Sequence, residues 1–93
     1  MTTISQIASR IIKEQEFVIG PLAWSEAKKV QGLSVIDAKR GEVSVGDDEK
    51  RVVDSLVARY ERLFGRASHE VCRHAVAGLI AEMPADQVPT SLR

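Results

Sequence analysis

The side chains best suited to chemistry in this 93-residue chain are His69, Cys72 and His74, which fall in one short segment. A metal centre on a helix wants ligands one turn apart, and the step from His69 to His74 misses that i, i+4 geometry. Cys72 is the only cysteine, so there is no second thiol for a zinc site and no intramolecular disulfide. Nucleophilic catalysis needs a serine or cysteine with a histidine and an orienting acid, and no G-x-S-x-G elbow supplies one locally. Cys72 lies in an apolar stripe, where a thiol acts as a small hydrophobe and its pKa rises. Gly41 and Gly46 flank a hairpin strand and Gly65 ends a helix, so no glycine-rich loop follows a strand to cradle a phosphate. The expectation is a protein without catalytic, cofactor or metal residues.

His74 carries one signalling alternative. At about 100° per residue it projects opposite the apolar stripe of its helix, near Glu70, with Gly78 one turn further on. An exposed histidine followed four residues later by glycine resembles histidine phosphotransfer domains, where a small neighbour leaves the imidazole open to a response regulator. The resemblance implies His74 as phosphoacceptor. It is five residues long, Ala77 stands where that family usually has a lysine, and those domains are four-helix bundles without a central hairpin.

Basic residues carry a second alternative. Lys28 and Lys29 close a short helix, and Lys39 and Arg40 tip the hairpin that follows. A helix plus a β-wing resembles, in outline, winged-helix DNA-binding domains, which implies a regulator contacting nucleic acid through helix two and the 33–45 hairpin. That family places three helices before its wing and a polar recognition helix among them, whereas two helices precede this hairpin. Asp47, Asp48 and Glu49 beside the wing oppose a DNA contact. Thirteen basic and thirteen acidic side chains remove the bulk attraction that nucleic-acid and anionic-membrane binders carry.

The elements that position these residues follow from periodicity. Thr2 or Thr3 can cap a first helix running to about Phe17, with Ile4, Ile7, Ala8, Ile11 and Ile12 at three- and four-residue spacing. Gly20-Pro21 opens a short helix to about Gln31, its inner face Leu22, Ala23, Ala27 and Val30, ended by Gly32. From Leu33 the period drops to two, and Val35, Val43 and Val45 mark a β-hairpin turned at Gly41. Asp47 or Asp48 offers an N-cap to the third helix, whose stripe is Val52, Val53, Leu56, Val57, Tyr60, Leu63 and Phe64. Gly65 ends it, Ser68 can cap the fourth helix, and Pro84 stops that one. The fold class is therefore α+β, mainly helical, ordered α1-α2-β1-β2-α3-α4, with one β-hairpin packed on an α-hairpin. Residues 1–83 form the single domain and 84–93 a loosely ordered tail.

Composition is that of an ordinary globular chain, with 44% hydrophobic and 28% charged residues. No charged stretch leads into a continuous apolar run at the N-terminus and no segment is apolar enough to span a bilayer, so a cytoplasmic location is expected without membrane contact. At this length a monomer buries about 60–65% of its unfolded surface, which leaves association attractive. The fourth helix spreads Val71, Cys72, Ala75, Val76, Leu79, Ile80 and Met83 over an arc of about 180°, wider than one core requires. The expected function is a non-enzymatic protein–protein interaction or regulatory module, a homodimer or a partner-docking unit. Its candidate interface is Trp24, Tyr60, Phe64, Ile80 and Met83.

Overall fold

A computed structural model of the chain describes residues 3–46 and 48–93. Two capping candidates, Thr2 and Asp47, lie outside the described residues. The elements are α1 (Thr3–Ile19), α2 (Leu22–Ala27), β1 (Leu33–Asp37), β2 (Glu42–Val45), α3 (Glu49–Phe64) and α4 (Arg66–Ile80), followed by two 3₁₀ turns, η1 (Ala85–Gln87) and η2 (Thr90–Leu92). This is the mainly helical α+β order that the periodicity predicts.

The long helices form because their apolar positions recur at helical spacing and find one another. Ile7, Ala8, Ile11 and Ile12 of α1 are fully buried, as are Val53, Leu56 and Tyr60 of α3 and Cys72 and Val76 of α4. Each large side chain removed from water contributes about 1.5–3 kcal/mol, so these stripes outweigh the modest propensity terms along the helices. The two strands pair antiparallel, Leu33 with Val45 and Val35 with Val43, and the register slips between Val35 and Asp37. The slip leaves Ile36 exposed. The buried face of the hairpin rests mainly on α1, which in turn packs on α3 and α4.

Two glycines set the connections. Gly65, at φ 92°, alone joins α3 to α4, and an L side chain there would be strained. Gly32 has φ 90°, and a Cβ on it would sit 2.7 Å from Val52 Cγ2.

Several local expectations are corrected. Helix α4 starts two residues before Ser68, at Arg66, because Gly65 completes the turn by itself; Ser68 is buried inside the first turn rather than capping it. Asp48 stands at the N-cap of α3 but makes no side-chain cap hydrogen bond, its backbone being left-handed at φ 33°. Helix α2 covers six residues, then continues to Val30 in tighter turns such as Val30 N–H to Ala27 O at 3.1 Å. Within it, Leu22 is exposed and Trp24, 6% exposed, takes the core position. Trp24 and Tyr60 are therefore core residues and not parts of an exposed interface.

The segment 84–93 is not a loose tail. It folds into its two turns and buries Val88, Pro89 and Leu92 against α3 and α4. The apolar excess at the end of α4 thus finds part of its cover within the same chain: Ile80 and Met83 line an open hollow together with Val88 of this segment.

Candidate functional site

Polar bonds locate which helix ends meet. Gln15 Nε2, late in α1, donates to Ser68 O at 2.9 Å and contacts Cys72 Sγ at 3.4 Å, tying α1 to the start of α4. Tyr60 Oη donates to Ala23 O at 2.6 Å, tying α3 to the start of α2. Since Gly65 alone separates α3 from α4, the end of α1, the start of α2, the end of α3 and the start of α4 gather at one end of the molecule. That end carries Phe17 at 85% exposure, Val18 at 63%, Leu22 at 45% and Leu63 at 46%, four of the five exposed large apolar side chains among the described residues. Charges of both signs rim it, with Glu16 on α1 and Arg62 and Arg66 across the α3–α4 corner, all exposed.

Sequence periodicity missed this patch because Val18 and Leu63 look like continuations of their stripes. The usable signal was phase. Phe17 lies off the line of Ile7, Ile11 and Ile12 at 100° per residue, whereas Val18 falls on it, and six residues of α2 are too few for a phase to be read.

A polar cluster joins α2 to α3. Glu26 accepts from Arg59 Nε at 2.9 Å and Lys29 Nζ at 3.2 Å, and these bonds, that of Arg59 first, hold its carboxyl below the usual range. Burial pushes the Tyr60 phenol well up. Burial likewise pushes the Cys72 thiol up to about 11, against the lowering effect of Gln15, which leaves it protonated and a poor nucleophile near neutrality.

A second cluster joins α3, α4 and the C-terminal segment. His69 Nδ1 lies 3.2 Å from Glu61 Oε2, and Nε2 lies 2.6 Å from Ser91 O. Asp54 Oδ1 accepts from Ser91 N at 2.9 Å and Ser91 Oγ at 2.5 Å. Among the described residues, no group of three His, Cys, Asp or Glu side chains is placed to hold a metal ion.

The remaining candidates are spread out. Phe64, Ile80 and Met83 are half-buried against the core. His74 is exposed, and a Cβ on Gly78 would meet nothing within 4 Å, so the imidazole is open to solvent. Lys28, Lys29, Lys39 and Arg40 are all exposed, but the two pairs stand beyond opposite ends of β1, whose five residues span roughly 17 Å. Lys29 is engaged by Glu26 and Arg40 by Glu42 at 3.5 Å. The basic residues do not come together.

No helix among the described residues is long and apolar enough to cross a membrane. No family model, curated protein or solved structure matches this chain.

Proposed function

We propose that this chain is a non-enzymatic protein–protein interaction module that self-associates through the apolar end of the helical bundle. The observation that carries the proposal is the gathering of Phe17, Val18, Leu22 and Leu63 on that end, all exposed. Isolated exposed apolar side chains are ordinary, whereas several carried on one end of a small domain are what a docking surface presents. Phe17 fits the part of a hot-spot anchor, since large rings dominate interface energies when a partner desolvates them.

A second copy is the occupant that the charges favour. The rim holds Glu16 on one side and Arg62 and Arg66 on the other, an arrangement that a two-fold axis turns into complementary pairs. Closed two-fold pairs are also the commonest assemblies. The net charge of zero adds no long-range repulsion. The half-buried Ile80 and Met83, by contrast, already have a cover in the chain's own segment 84–93, which shifts the interface away from α4.

Sedimentation velocity tests this reading. The parent chain should run at about twice its mass at low micromolar concentration, and Phe17→Glu should run as a folded monomer because the side chain it replaces makes little intrachain packing. A parent that stays monomeric at hundreds of micromolar would refute self-association.

A further inference from the structure

The segment 84–93 is anchored in an unusual way. Every backbone hydrogen bond seen from residues 87, 88, 92 and 93 closes within the segment: Gln87 N to Pro84 O, Val88 N to Ala85 O, Leu92 N to Pro89 O and Arg93 N to Thr90 O. Its attachment to the helices consists of three buried apolar side chains, Val88, Pro89 and Leu92, and a few side-chain bonds. Lys50 Nζ donates to Asp86 O at 2.6 Å from the start of α3. The main polar anchor is Ser91, whose N–H and hydroxyl are both taken by Asp54 and whose carbonyl accepts from His69. A unit held by so little apolar area opens at lower free energy than the helices beneath it.

We propose that residues 84–93 are a releasable strap, an internal ligand of the α3–α4 face that opens while the helices stay folded, with its grip set by the protonation of His69. Both ring nitrogens of His69 face acceptors, Glu61 Oε2 and Ser91 O. A neutral imidazole has a single N–H and can serve only one of them, whereas the imidazolium serves both and bonds each more strongly. The charges that act on the ring are Glu61 of α3 and Glu70 of α4, with Asp54 across Ser91; on the basic side Arg66 and Arg73 share its helix, Arg73 being paired with Glu70 at 3.4 Å, and Arg93 follows Ser91 on the strap. The strap itself presents a carbonyl.

The Ser91 carbonyl first, and then Glu61, accordingly hold the His69 pKa above the ordinary histidine value of 6.5, against some desolvation. A folded-state value raised in this way means the grip is complete below about pH 6.5 and weakens as pH rises through the raised value. Opening further bares Ile80 at the end of α4 and Met83 just beyond it, which the strap partly covers.

Hydrogen exchange read by NMR on the full chain tests the strap. Protection factors, corrected for the intrinsic rate, are compared at pH 5.5 and 8.5. Leu92 and Arg93 should lose about fivefold to tenfold of their protection across this range, the scale of one charge-assisted hydrogen bond, while Ile11 and Leu56 stay level. In His69→Gln the strap amides should be weakly protected with no pH slope, and His74→Gln should keep the parent slope. Should His69→Gln not fold, Asp54→Asn provides the reading, with lower strap protection at both pH values and the slope retained. Strap amides as protected as Leu56 at both pH values would overturn the proposal, as would a parent-like slope in His69→Gln.

Discussion

The Tyr60 hydroxyl donates to the Ala23 carbonyl at 2.6 Å, with the ring fully buried. This bond ties the start of α2 to α3, at a turn where Ala23 and Trp24 are buried and Leu22 is exposed. Tyr60→Phe keeps the ring and removes this bond, leaving the Ala23 carbonyl to its helical partner. Losing such a bond costs about 0.5–1.5 kcal/mol, and each kcal/mol lowers the midpoint by about 4–8 °C in a domain of this size. Thermal unfolding of Tyr60→Phe should drop by about 2 °C or more. A midpoint unchanged within a degree would show that the bond contributes nothing to the placement of α2.

Glu26 provides an acid-limb prediction. Its pKa is lowered by Arg59 and Lys29, so the stabilisation it brings is present above its unfolded value near 4.5 and is lost as pH falls through the lower folded value. Glu26→Gln should unfold at lower temperature than the parent at pH 7, with the gap closing as pH falls below about 4.5. A gap that persists to pH 2 would assign the loss to packing.

Cys72 should be nearly inert in the native state. With its thiol held up at about 11, the thiolate fraction at pH 8 falls about a hundredfold below that of an unfolded thiol, and burial blocks access as well. Alkylation should become fast only in denaturant. A native rate equal to the unfolded rate would mean that α1 and α4 separate readily at Gln15.

Much of this architecture is legible in the sequence, and the rest is hidden for identifiable reasons. The stripes of α3 and α4 and the period-two valines of the hairpin are long enough for their spacing to declare them. Leu22 is exposed instead of on the inner face because a six-residue helix gives too little sequence to fix its phase. The segment around Val88, Pro89 and Leu92 has no period at all, so nothing local distinguishes it from a loose tail. Its order comes from Asp54 and His69, residues 37 and 22 positions away from Ser91 in the chain. The apolar end is similarly a product of assembly, since Phe17 and Leu63 come to the same end of the molecule only when Gln15 reaches Ser68 and Tyr60 reaches Ala23.

The central claim is that two copies meet through the end bearing Phe17. Isotope-filtered nuclear Overhauser spectroscopy on an equal mixture of labelled and unlabelled chains tests it most directly, because only contacts between copies survive the filter. Self-association as proposed predicts intermolecular signals between the Phe17 ring and the methyl groups of Val18, Leu22 or Leu63. Intermolecular signals confined to Ile80 and Met83, or none at concentrations of hundreds of micromolar, would contradict it.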